Sequence, residues 1–109
     1  MGPQELKGHL DGLILAMLEA GPLHGYAVIT ALREHSSGAL ELPAGTIYPV
    51  LHRLERRGLI AGTWSEGAGR KRRIYALTTT GRKDLAAQRD NWNTFSRLIS
   101  RVLTAGGTP

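Results

Sequence analysis

Four cations follow one another without a break at Arg70-Lys71-Arg72-Arg73. They come directly after the turn-forming run Glu66-Gly67-Ala68-Gly69, with strand-like residues on either side, Ile60 to Ser65 and Ile74 to Leu77. Like charges crowded at a hairpin tip repel one another and gain nothing from a core, so the run suits contact with a polyanion. Side chains alternate across a strand, so the four cannot all point the same way. Arg70 and Arg72 are expected to lead that contact, Lys71 to follow, and Arg73 to fold back over the hairpin.

Other chemistries are poorly supplied. There are no cysteines, which excludes disulfides and thiolate metal sites. The histidines, His9, His24, His35 and His52, show no tight ligand spacing such as i, i+4 on one helix, so no metal site is expected. No nucleophile–base pair, glycine-rich phosphate loop or HExxH-type motif is present, and no enzyme or cofactor is expected. With no charged segment leading into a long apolar run, and no stretch near the roughly 20 apolar residues of a membrane span, a cytoplasmic chain is expected.

The net charge of +5 is unevenly spread. Residues 1–69 hold five Lys/Arg against seven Asp/Glu, a balance of −2, and residues 70–109 hold nine against two, a balance of +7. Basicity confined to one part of a chain is the footprint expected for nucleic acid, whereas a merely solubilising surface usually mixes both signs.

The elements that must position these residues follow from apolar periodicity. Leu6, Leu10, Leu13, Ile14, Met17 and Leu18 predict a first helix over about Gln4 to Glu19, stopped by Ala20-Gly21-Pro22. A second helix is predicted over Gly25 to His35, with Val28, Ala31 and Leu32 buried, and a third over Ala44 to Arg57, with Ile47, Leu51 and Leu54 on one face. Thr46, His52, Arg53 and Arg56 lie away from that face, and Pro49 inside the pattern deletes a backbone bond. After the hairpin, whose Trp64, Tyr75 and Leu77 are expected to pack back onto the helices, Thr78-Thr79-Thr80 offers cap hydroxyls to a long helix over about Thr80 to Leu103. The predicted class is α+β, mostly α: a winged helix-turn-helix domain over 1–79, a dimerisation helix over 80–104 and a loose tail over 105–109.

That last helix carries Leu85, Trp92, Phe95, Ile99 and Val102 in an approximate a/d seam. A second subunit would cover such a stripe, and so would the chain's own first helix; both hold if the two helices share one interface.

Leu42 to Glu55, LPAGTIYPVLHRLE, resembles the recognition-helix signature of PadR-family transcriptional regulators. His24-Gly25-Tyr26, Arg57-Gly58-Leu59-Ile60, Tyr75-Ala76-Leu77-Thr78 and Gly81 are similar to further motifs of that family, in the same order. A single C-terminal helix resembles the family's short subgroup, which dimerises through that helix and the first one. The chain departs from the pattern at Pro43, where the family often has a serine able to cap the third helix. Proline has no side-chain cap to give, so a shifted helix start is expected.

Several residues then take on expected roles. Ala44, Gly45 and Thr46 are small and sit where helix N–H groups attract phosphate, although Thr46 would also serve as a cap. Tyr48 resembles the family tyrosine at backbone or base edge, or else is half-buried packing. His52 and Arg53 lie one turn on. Arg53 would read guanine in the major groove or pair with Glu55 or Glu34. His24 and Tyr26 are candidate phosphate contacts, Tyr26 equally a core residue. The wing cations are expected at the adjacent minor groove or its phosphates. Trp92 resembles the tryptophan that stacks on flat hydrophobic compounds in a pore between subunits, or else is an interface knob. Gly12, Leu15, Ala16, Gln88, Arg89 and Ser96 would line that pore.

The reading is a homodimeric repressor on a pseudo-palindromic operator, released by a small aromatic or drug-like effector, with no membrane partner. A metal- or nucleotide-responsive regulator, a winged-helix protein-interaction module and, more weakly, an RNA binder are the alternatives. Steep salt dependence separates a DNA binder from a protein module.

Overall fold

The computed structural model describes residues 6–105. In chain order they form α1 (Leu10–Met17), β1 (Leu23–His24), α2 (Gly25–His35), α3 (Ala44–Arg56), β2 (Ile60–Gly67), β3 (Arg70–Leu77) and α4 (Thr79–Ala105). The three strands make one antiparallel sheet in the order β1-β3-β2. The class is α+β, mostly α, in a winged helix-turn-helix arrangement.

The first expected helix is interrupted by a turn that its apolar spacing does not reveal, and it ends at Met17. Leu6 is still helical, but Gly8 stands at φ +90° and the His9 N–H closes a turn on the Leu6 carbonyl at 2.8 Å, so residues 7–9 interrupt the helix and α1 starts at Leu10. Leu6 is buried all the same, which is why the periodicity ran through the break. Residues Gln4 and Glu5 of the expected helix lie outside the described residues, as do 106–109 of the expected tail; Ala105 still belongs to α4.

α1, α2 and α3 enclose a core of Ile14, Leu15, Leu18, Val28, Leu32, Ile47, Leu51 and Leu54, which β2 and β3 cover with Ile60 and Tyr75. Burial raises the Tyr75 phenol above its ordinary pKa, with the Glu55 carboxylate adding to the shift. α3 starts at Ala44 despite the proline before it. Pro43 occupies the N-cap position and no side chain caps the helix, Thr46 included; the Pro43 carbonyl accepts from the Thr46 and Ile47 N–H groups at 2.9 and 3.2 Å.

β1 was not foreseen, because two residues are too short for any periodicity. It pairs Leu23 with Tyr75 and His24 with Ile74, tying the start of α2 to the sheet. β2 and β3 run further toward their turn than expected, pairing from Ile60↔Leu77 to Gly67↔Arg70. The connection is the two-residue turn Ala68-Gly69, with φ +52° and +75°, the primed geometry that matches strand twist.

α4 begins with a knot. Thr78 Oγ1 accepts from the Gly81 N–H at 3.0 Å and donates to the Gly58 carbonyl at 2.7 Å. The first turns of α4 then dock on α1, burying Leu85 in the protomer's own core. Leu85 is therefore a core residue, not part of an intersubunit seam. Beyond it the helix projects, and Trp92, Phe95, Leu98, Ile99, Val102 and Leu103 are exposed. Among the described residues no helix is long and apolar enough to cross a membrane.

Candidate nucleic-acid interface

The face opposite the buried stripe of α3 presents Gly45, Pro49, His52, Arg53 and Arg56 to solvent. Arg56 is where the helical period puts it, away from the apolar face, but neither it nor Pro49 carries an expected contact role. The same period places Pro49 on this face, which is the signal that would have added it. Tyr48 sits at the edge of the face, half-buried over the start of α2: a Cβ on Gly25 would stand 2.4 Å from its hydroxyl. Tyr26 meets Tyr48 edge-on at 6.3 Å, and His52 lies 6.5 Å away on the other side. Tyr26 is 64% exposed, so it is a surface residue and not a core one.

His24 caps α2, its Nδ1 accepting from the Ala27 N–H at 3.3 Å. Arg72 Nη1 lies 3.4 Å from the other ring nitrogen. With Nδ1 accepting, the neutral ring carries its hydrogen on Nε2 and has no lone pair there for a guanidinium. Arg72 is thus placed beside His24 but not fixed by it.

Strand alternation sorts the four wing cations. Arg73 lies on the sheet face of Tyr75, where it donates to Glu55 at 2.5 Å and covers the Trp64 ring at 5.2 Å. It folds back over the hairpin and is held to α3 by this ion pair. Arg70 and Arg72 lie on the opposite face, and Arg70, Lys71 and Arg72 are exposed with no internal ion pair among the described residues. Trp64 corrects another expectation: it is 66% exposed, because β2 has passed the end of the core before reaching it.

Glu55 also accepts from the Gly62 N–H at 3.1 Å, so one carboxylate holds both strands of the wing to α3. Glu55→Gln is expected to loosen the wing without unfolding the protein, since the pair is partly exposed and worth about 1 kcal/mol or less. Hydrogen exchange should speed at Gly62 and along the Arg70–Arg73 segment while the α1 and α2 amides keep their protection. Unchanged exchange in the hairpin would show that β-pairing alone sets the wing.

Arg53 bonds neither Glu55 nor Glu34. Its guanidinium pairs with Asp11 of α1, which also accepts from Arg57 at 3.2 Å. This partner lies 42 residues away and carries no local signal.

On the far side of α1 a groove of about 730 Å³ runs between α1, the α2–α3 loop and α4. Gly12, Ala16, Gln88, Arg89 and Trp92 line it, joined by His9, Leu13 and Leu40. Leu15 does not; it is fully buried in the core. Ser96 lies a turn beyond the groove, half-buried, with its hydroxyl on the Asn93 carbonyl at 3.4 Å. Arg89 closes one wall with two bonds to Glu19, at 2.8 and 2.9 Å, and this pairing lowers the Glu19 pKa. Trp92 stands at the lip, 52% exposed, with the His9 ring edge-on at 5.3 Å and Phe95 at 6.1 Å.

Residues 14–87 match the family described as the transcriptional regulator PadR-like family. A PadR-like transcriptional regulator from Bacillus cereus superposes with a TM-score of 0.80 at 32% identity, over 94% of this chain and 98% of that one. A PadR family transcriptional regulator from Eggerthella lenta gives 0.83 at 29% identity, over 94% and 88%. A transcriptional regulator of Mycobacterium tuberculosis is 37% identical over 67 residues, which are 62% of this chain and 60% of that protein.

Proposed function

This chain belongs to the PadR-like family of DNA-binding transcriptional regulators, and we propose that it works in the cytoplasm as a homodimeric, ligand-responsive repressor. The observation that carries the dimer is the outer half of α4. Trp92, Phe95, Ile99 and Val102 recur at helical spacing and stay 39–64% exposed among the described residues, Trp92 even with the His9 ring beside it. A second copy related by C2 symmetry presents the same stripe and covers it. The two α3 helices then face a pseudo-palindromic operator with half-sites about one helical turn, roughly 34 Å, apart.

On each half-site α3 enters the major groove. Gly45, with open space around it, allows close approach. Ala44, Thr46, Tyr48 and His52 meet bases or backbone, and Tyr26 and His24 meet phosphate. Arg70, Lys71 and Arg72 follow the adjacent minor groove.

Trp92 belongs both to the groove wall and to the exposed stripe, so pairing at that stripe turns an open groove into a pocket between subunits. A flat aromatic effector stacked on Trp92, beside Gly12, Ala16, Gln88 and Arg89, loosens DNA binding if it favours a dimer form in which the α3 helices are wrongly spaced. That requires different affinities for the two forms.

The test combines sedimentation with fluorescence. A dimer at micromolar concentration is expected, together with saturable quenching of Trp92 by flat aromatic compounds in a Trp64→Phe variant, which removes the wing signal. A monomer would end the interface argument. Quenching by none of a panel of aromatic, cationic and nucleotide compounds would leave Trp92 as a packing residue.

A further inference from the structure

We propose that Asp11 is a charge brake on DNA binding, holding Arg53 and Arg57 of α3 against α1 so that DNA must compete for them. The inference rests on the DNA-binding assignment.

One carboxylate serves two guanidiniums here. Asp11 Oδ1 accepts from Arg53, and Oδ2 accepts from Arg57 at 3.2 Å. The acid side chain is only 20% exposed beneath arginines that are 46% and 50% exposed. Round the α3 axis, at 100° per residue, Arg53 stands about 60° and Arg57 about 100° from the solvent-facing Arg56, on the flank turned toward α1. With α3 in a major groove, that flank meets one of the two phosphate strands bordering the groove. Two cations at the end of a helix would hold that strand, and a fixed negative charge has been set between them.

Stability does not explain the arrangement. Asp11 lies in the first turn of α1, where the helix dipole already favours an acid. Arg53 and Arg57 lie at the C-terminal end of α3, where it already favours cations. An ion pair this exposed adds little to folding. Its larger effect falls on a competing anion: each arginine must leave or share Asp11 to meet a phosphate, and the carboxylate repels that phosphate. The weakness of the pair keeps the exchange reversible. Asp11 also adjoins Gly12 in the groove wall, whose Cα faces Gln88 of α4. The brake therefore sits one residue from the groove, on the helix that separates the groove from α3.

A mutational cycle tests this. A short labelled duplex is titrated at constant salt with the wild-type protein, Asp11→Asn, Arg53→Ala with Arg57→Ala, and all three changes together. Asp11→Asn is expected to tighten binding about three- to tenfold, the scale of two exposed ion pairs. The gain should vanish in the triple variant, which has no arginines to release. A gain that persists there would reflect only the loss of a negative charge near DNA and would overturn the brake. Unchanged or weaker binding by Asp11→Asn would also overturn it, since the carboxylate would then be orienting the arginines for contact. Asp11→Ser, run alongside with thermal melts of every variant, separates these outcomes from a folding defect. Failure of the wild-type protein to hold any duplex would remove the DNA-binding assignment and the brake with it.

Discussion

Replacing Arg70 and Arg72 together by alanine is expected to weaken duplex binding by about ten- to a hundredfold, since each charged contact to phosphate is worth on the order of 1 kcal/mol or more. The loss should fall on all sequences alike, because phosphate contacts position the protein without reading bases. The slope of log affinity against log salt should become shallower by about 2, roughly 0.9 for each contact removed. Folding should be unaffected. Both side chains are exposed, and Arg72 has only the edge of the His24 ring beside it. Arg73→Ala makes the informative contrast. Its guanidinium is already spent on Glu55 and Trp64, so it should loosen the hairpin with little change in salt slope. An unchanged slope for the Arg70/Arg72 variant would place the wing off the DNA altogether.

Gly81→Ala is expected to be the most damaging single methyl group in the chain. A Cβ there would stand 1.9 Å from the Leu59 carbonyl oxygen and 2.9 Å from its carbon, both backbone atoms that no rotamer change can move. The same carbonyl accepts from the Thr78 N–H at 3.1 Å, so moving it also pulls on the residue whose hydroxyl caps α4. Alanine's helix propensity returns about 1 kcal/mol. Overpacking and the lost cap together cost about 2–5 kcal/mol. The clash wins, and the melting temperature should fall by about 10 °C or more in a domain of this size. The loss should appear first where α4 leaves the core, at Leu85 and the groove wall, and with it the proposed dimer. Gly45→Ala is the control: open space surrounds that position, so stability should hold or rise slightly. A Gly81→Ala protein that melts with the wild type would mean that α4 can start in another way.

Much of the scaffold was legible in advance. Apolar residues at helical spacing gave α2 and α3 nearly to the residue, because their stripes coincide with clear stops, Ser36-Ser37-Gly38 after one and Gly58 after the other. The same reasoning overran in α1, since Leu6 keeps the apolar phase across a turn that Gly8 makes. The hairpin was readable from its turn residues, but not its reach. Trp64 looked like core because an aromatic in a strand usually is; only the point where β2 outruns the helices leaves it in solvent.

By itself the sequence determined the order of elements, the concentration of positive charge after residue 69 and the family motifs. Each of these is local, a matter of period, stop signals and residue type along a short stretch. Only the tertiary structure decided where individual side chains went. Arg53, an expected base contact, turns to Asp11, and Arg73, expected to fold back, does so onto Glu55, across 42 and 18 residues; no spacing rule connects either arginine to its acid. Leu15 and Leu85 leave the expected pore and seam for the core, where α1 and α4 meet. Periodicity says which face of a helix is apolar, while the neighbour that covers it is chosen by packing between distant elements. The outer half of α4 shows the same limit from the other side: its stripe is plain in the sequence, and the described residues of its own fold leave it exposed.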